Sequence, residues 1–511
     1  MITKINSIGL TGMDGFRIDV EADVGGGVPD FEMVGMADIA VRESKERIRS
    51  ALKNSGLRIP GKRILINLAP ADVKKEGACL DLPIAMGILI GSEQIKVPDT
   101  DTSCFFGELS LDGTLRGIRG ALPMAITAYR SGAKKLFLPS ANAAEAAVVD
   151  GLEVYGVESI AALARHFSGE EEIIPTRVDV NRLFSASSGE LPDFADVKGQ
   201  ENAKRALEIA AAGGHNILMI GPPGSGKTML AQRIPSILPE MTFEEALDVT
   251  KVHSIAGKLP KDKPIITCRP FRSPHHTVSA PGLTGGGTGV PRPGEISLAH
   301  HGILFLDELP EFRKDALEVM RQPLEDGNVT ITRAGGTYTY PCNIMLVASM
   351  NPCPCGYYGD RNHSCTCSDK KIQAYLSKIS GPLLDRIDLH IEVPAVSYDE
   401  LETHTKAESS AEIKKRVDRA REIQLKRYKG TGIHSNSLLD SAMADEYCRL
   451  DSDGAELLKN AFEALGMSAR AHNRVLKVAR TIADLAEAET IRKEHIAEAV
   501  RYRSLDRKFW A

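Results

Sequence analysis

Alternation and helical spacing divide the chain into regions of different character. In the first, Ile18-Asp19-Val20-Glu21-Ala22 alternates apolar and polar residues as a half-buried strand does. The run 62–68 (KRILINL) reads as a second strand, and 41–53 carries its apolar residues at helical spacing. These elements predict an α/β domain over 1–168. Residues 169–195 combine an acidic patch, Pro175 and the run Ser185-Ala186-Ser187-Ser188-Gly189, which predicts a linker with few packed residues. Next come a helix over 203–212, an apolar strand over 216–220, a Gly-rich loop and a helix over 227–238. That order is the one expected of a parallel α/β sheet, and it defines a second domain over 196–399. Residues 400–511 hold long amphipathic segments and few strand signals, as a helical domain would. No fixed-period repeat is present.

Composition narrows the class. The 511 residues suffice for about three domains, and 42% hydrophobic with 26% charged residues is ordinary for globular chains. The longest apolar stretch, 82–90, falls far short of the roughly 20 residues that cross a bilayer. The start, MITKINSIGLTGMDGF, lacks the basic-then-apolar pattern of a signal peptide. A cytoplasmic protein with no membrane partner is expected. The net charge of -5 gives no global case for nucleic acid, so any such case is local.

The chemistry begins at Gly221-Pro222-Pro223-Gly224-Ser225-Gly226-Lys227-Thr228, which matches G-x-x-x-x-G-K-[ST] between a predicted strand and helix. Such glycines let backbone N–H groups converge on phosphate oxygens. Lys227 would neutralise the β- and γ-phosphates of ATP, and the Thr228 hydroxyl would ligate Mg²⁺. The apolar run Ile303-Leu304-Phe305-Leu306 ends in Asp307-Glu308, carboxylates that a buried parallel strand would deliver to the same sheet edge. Asp307 suits Mg²⁺ and Glu308 suits the attacking water. A third apolar strand, 344–348, leads to Asn351, either a γ-phosphate contact or a turn residue before Pro352.

Three longer blocks carry a resemblance: Pro270-Phe-Arg-Ser-Pro-His-His, then Pro293-Gly-Glu-Ile-Ser-Leu-Ala-His-His-Gly-Ile-Leu-Phe-Leu-Asp-Glu-Leu-Pro-Glu-Phe, then Asn351-Pro-Cys-Pro-Cys-Gly. With them the chain resembles the magnesium-chelatase-like AAA+ ATPases along essentially its whole length, and within these the competence-related YifB/ComM branch. The resemblance implies a hexameric ring acting on single-stranded or branched DNA as a branch-migration motor in uptake and recombination of transforming DNA. Recombination or competence proteins would be its partners. The alternative is a motor that remodels a protein, as chelatase subunits do when driving metal insertion into a tetrapyrrole. In Gly381-Pro-Leu-Leu-Asp-Arg386, Arg386 resembles the family's arginine finger, which would reach the neighbouring subunit's ATP. Arg470 most resembles the sensor-2 arginine, with Arg474 one helical turn on as the alternative. Asp196-Val197-Lys198-Gly199-Gln200 resembles the segment flanking the adenine.

The resemblance also implies two inserts, which in a ring would project into the pore. One is a flexible loop over 270–295 with Arg272, His275, His276 and Arg292. The other spans 329–340, whose alternation around Gly335-Gly336 predicts a hairpin. Arg333 near its tip is the best candidate phosphate contact with DNA, and Arg272 of the first insert is the second candidate. Residues 414–429 carry eight basic and two acidic residues, either a DNA- or subunit-facing helix or one with internal ion pairs.

Cys353-x-Cys355 and Cys365-x-Cys367 offer four thiolates in two tight pairs. Tetrahedral Zn²⁺ fits them, as do four free thiols, and His363 is a substitute ligand. Cys79, Cys104, Cys268, Cys342 and Cys448 read as core residues. The segments 76–83, 107–123 and 135–139 resemble the Lon protease domain. Cys79 stands near the nucleophile position, however, and Leu122 stands where the base lysine belongs, so no proteolysis is expected.

Overall fold

The computed structural model describes residues 2–510 except 76, 186–190, 288, 334–335, 361–362, 397–401, 403–406 and 506–508. Glu76, the Ser-rich run after Ser185 and the Ala334-Gly335 turn therefore lie outside the described residues.

The N-terminal domain is built on a seven-stranded mixed sheet. Its spatial order is Asp30–Val34, Arg63–Ala69, Asp14–Gly25, Ile2–Thr11, Ser103–Phe105, Lys135–Pro139 and Glu153–Val157. The strands expected around residues 18–22 and 62–68 pair with each other, Val20 opposite Leu68. The longest apolar run in the sequence is the helix Asp81–Gly91, buried along nearly its whole length. Gly87 allows its approach to the sheet, since a Cβ there would lie 2.9 Å from the Ala22 methyl.

The central domain carries a five-stranded sheet in the order Phe271–Arg272, Ile303–Leu306, Met345–Met350, Ile217–Ile220 and Leu389–Glu392, with every neighbouring pair parallel. The three middle strands are buried at every residue. That explains why they read as unbroken apolar runs rather than alternating ones. Because they run the same way, Gly221, Asp307 and Asn351 emerge together at one edge.

The C-terminal region is helical, with Ser410–Arg427, Ser452–Leu465, Ala469–Leu485 and Lys493–Arg501 as its main helices. Val475, Leu476 and Ala479 share one core with Ile209 and Ala210 of the central domain, so the two are packed as one body. Among the described residues no helix is long and apolar enough to cross a membrane.

The expected linker needs correction. Within 169–195, Val180–Ser185 forms a short helix. Val178, Val180, Leu183 and Phe184 pack with Val148 of the first domain and with Met241, Val249 and Ile265 of the second. The domains also meet directly. Ser254 donates to Glu145, which accepts from the Leu122 N–H at 2.9 Å as well. Burial raises the Glu145 pKa above the usual carboxylate range.

Candidate nucleotide-binding site

The loop 221–228 joins the strand Ile217–Ile220 to the helix Lys227–Arg233. Gly224 and Gly226 take φ of 76° and 88°, a left-handed region that favours glycine. Lys227 Nζ donates to Gly221 O at 2.8 Å and Pro222 O at 2.9 Å, and lies 3.3 Å from Asn351 Oδ1. The amine thus occupies carbonyls of its own loop, and Asn351 sits within reach of whatever Lys227 binds. Burial pushes the Lys227 amine down to about 8, with Asp307 and Glu308 pulling it back. A triphosphate on the loop favours the charged amine, so binding takes up a proton at high pH. ATP affinity is therefore expected to hold below about pH 8 and to fall above it. Calorimetry in buffers of different ionisation heat reads the proton. An affinity unchanged up to about pH 9.5 would contradict this coupling.

Asp307 and Glu308 follow the strand Ile303–Leu306. Thr228 Oγ1 donates to Asp307 Oδ2 at 2.8 Å, and Ser349 donates to its other oxygen. Thr228 and Asp307 are therefore a hydroxyl–carboxylate pair beside the phosphate loop, an oxygen donor set that suits Mg²⁺. Glu308 has φ of 56°, left-handed for a residue with a side chain. Its Oε2 lies 3.7 Å from His276 Nδ1. His276 belongs to the 270–295 insert, so this contact joins the insert to the carboxylate that follows Asp307. The sequence flagged His276 only as part of that insert.

Arg386, Arg470 and Arg474 lie elsewhere. Arg386 precedes the strand Leu389–Glu392, which runs parallel to Ile217–Ile220. Asn216 donates to Arg386 O at 2.8 Å. Arg386 is thus at the edge where the strands begin, and the phosphate loop is where they end, about 13 Å away for four residues of strand. Its guanidinium pairs with Glu325 and donates to Pro382 O at 2.7 Å. Arg470, Arg474, Lys477 and Arg386 line one groove there. Arg474 Nε is 3.5 Å from Asp388 Oδ1, whereas Arg470 is exposed.

The inserts are more ordered than a flexible loop. Residues 270–295 contribute the sheet strand Phe271–Arg272, a helix Ala280–Thr284 and a small pair of strands, Gly285–Gly286 with Arg292–Pro293. Arg272, a candidate DNA contact, is held 2.7 Å from Glu295. The second insert is the hairpin Asn328–Arg333 with Gly336–Pro341. Arg333 is exposed at its end, and Gly285 packs against Ile331, so the inserts meet. Four of the eight basic residues in the run 414–429 pair with carboxylates outside it. Lys414 pairs with Glu240, Arg416 with Glu208 and Glu408, Arg419 with Glu487, and Arg427 with Asp484.

In the N-terminal domain, burial first and then Asp81 push the Cys79 thiol up to about 12. That leaves little thiolate at neutral pH. Asp81 is engaged by Ser44, by Arg47 at 2.8 Å and by the Leu109 N–H. Cys104, Cys342 and Cys448 are buried as expected, but Cys268 is exposed and Cys79 only half-buried. The sulfurs of Cys353, Cys355, Cys365 and Cys367 converge, and His363 is not among them.

A phosphate loop, a Thr–Asp pair and an adjoining glutamate on a five-stranded parallel sheet, with a helical C-terminal region packed against it, define an ATPase of the AAA+ class. Three family models match: magnesium chelatase, subunit ChlI, over residues 193–401, subunit ChlI of Mg-chelatase over 20–142, and the C-terminal part of magnesium chelatase subunit ChlI over 407–503. The chain is 42% identical to competence protein ComM of Haemophilus influenzae over 493 residues, 96% of this chain and 95% of the relative. It is 43% identical to the uncharacterized protein YifB of Escherichia coli over 508 residues, 99% and 98% of the two chains. A magnesium-chelatase 67 kDa subunit of Chlorobaculum parvum is 29% identical over 165 residues, 31% of this chain and 23% of that one. The chain belongs to the YifB/ComM-like magnesium-chelatase family of AAA+ ATPases, a family that implies use of ATP and Mg²⁺.

Proposed function

We propose that the chain works as a cytoplasmic ring, a hexamer, that hydrolyses ATP between subunits and drives branch migration of DNA. The observation that carries this reading is the position of Arg386, one sheet length from the phosphate loop of its own chain. A finger at that edge serves only a neighbour's ATP, and a closed ring gives every site one. Arg470, exposed in the same groove, suits sensor-2 duty in that neighbour better than Arg474, which Asp388 holds. Lys227, Asp307, Glu308 and Asn351 then serve the chain's own nucleotide, with Thr228 and Asp307 holding Mg²⁺.

DNA is favoured over a protein substrate by the paired inserts, with Arg333 exposed where they meet, and by the similarity to a competence protein. His276 would relay the state of the inserts to Glu308. Arg333→Ala is expected to weaken binding evenly across DNA sequences and to reduce the salt dependence of log K by about one unit of slope. A titration of labelled single strand and four-way junction at several salt concentrations reads both effects. Unchanged affinity and slope would remove Arg333 from the interface.

A further inference from the structure

We propose that Cys353, Cys355, Cys365 and Cys367 form a structural zinc site that braces the phosphate loop. The argument starts from distances. Cys353 Sγ lies 3.3 Å from that of Cys355 and 3.7 Å from that of Cys365, and Cys355 and Cys365 are 3.6 Å apart. Cys367 completes a set in which all ligand atoms lie within 4.8 Å of one another. Four sulfurs about 2.3 Å from a common centre in tetrahedral array stand about 3.8 Å apart, close to these separations. A disulfide would bring a pair to about 2.05 Å.

The one-residue spacing within each pair looks unfavourable in sequence. A tight turn relieves it for the first pair: the Gly356 N–H donates to Cys353 O at 2.9 Å, and Gly356 takes φ of 87°. Backbone amides then face the sulfurs. Those of Tyr357 and Thr366 donate to Cys355, that of Cys367 to Cys365, and that of Cys355 to Cys367. Binding Zn²⁺ would displace four S–H protons to solvent and leave a site of net charge -2, which such donors stabilise. Four thiolates close the coordination shell and leave no position for substrate, so the role is structural rather than catalytic.

The location gives that role a consequence. Cys353 follows Asn351 by two residues and is fully buried in the core beneath the site. Gly356 is pressed on the phosphate loop so closely that a Cβ would lie 2.4 Å from Pro223 Cδ. The metal thus fixes the turn that supports Pro223 on one side and Asn351 on the other. This bracing rests on the nucleotide site proposed above, whereas the metal itself does not.

The test uses the full chain, purified under reducing conditions without added metal. Elemental analysis is expected to find about one zinc per chain, released as a mercurial reagent modifies the four thiols. Cobalt added to chelator-stripped protein is expected to give the strong visible bands of a tetrahedral all-sulfur site, a readout that needs no variant. Cys365→Ser combined with Cys367→Ser is expected to lose the zinc. Stripping the wild type is expected to weaken ATP binding and readdition to restore it. Protein without zinc whose four thiols react freely, disulfides by mass, or the weak spectrum of octahedral cobalt would overturn the site. Zinc whose removal leaves ATP affinity unchanged would overturn the bracing.

Discussion

Arg386→Ala is expected to lower ATP turnover about 10³–10⁵-fold while nucleotide affinity stays near that of the wild type. An arginine finger acts on charge that develops in the transition state, and ground-state binding is left to the neighbour's phosphate loop. In this chain Arg386 pairs with Glu325, a partner exposed to solvent, so truncation leaves no buried charge and the fold should survive. Mixing provides the sharper test. Arg386→Ala subunits keep Glu308, and Glu308→Gln subunits keep Arg386, so mixed rings contain some complete sites. Activity is expected to reappear on mixing two preparations that are each inactive. If Arg386 acted on its own chain's nucleotide, no mixture would recover turnover.

Glu308→Gln is expected to reduce kcat about 10²–10⁴-fold, the usual contribution of a general base, with ATP still bound. The substitution preserves size. The Glu308 N–H contacts to Asp307 and Ser349 are backbone interactions that glutamine retains. Single-turnover kinetics separate this loss from slow product release. Turnover within about twofold of the wild type would remove Glu308 from water activation.

The phosphate loop, Asp307-Glu308 and the hairpin were legible in the sequence because each is a local pattern: a loop of fixed spacing, an apolar strand with a polar end, an alternation around Gly-Gly. What sequence left open depends on long-range packing. Strand order alone puts Arg386 at the far edge of the sheet from Lys227, and only the fold sets His276 beside Glu308. For the basic run 414–429 the sequence left a DNA- or subunit-facing helix and internal ion pairs all open, whereas the partners found include Glu208, Glu240 and Asp484, distant in the chain. Arg272 found Glu295 in the same way, across the length of the insert. The stretch 169–195 read as a linker because of its acidic patch, Pro175 and Ser-rich run, which drew attention from the apolar residues Val178, Val180, Leu183 and Phe184. They nonetheless serve as wedges between two domains that each supply the rest of the core.

The central claim is ATP-driven movement on DNA, and the steady-state ATPase rate tests it most directly. It should be measured with no addition and with single-stranded DNA, duplex and a four-way junction, at low and moderate salt, with Lys227→Ala as the blank. The account predicts strong stimulation by the junction that weakens as salt rises, because phosphate contacts release counterions. Intact basal hydrolysis that responds to none of the DNAs would contradict it, and would favour a motor acting on a protein partner.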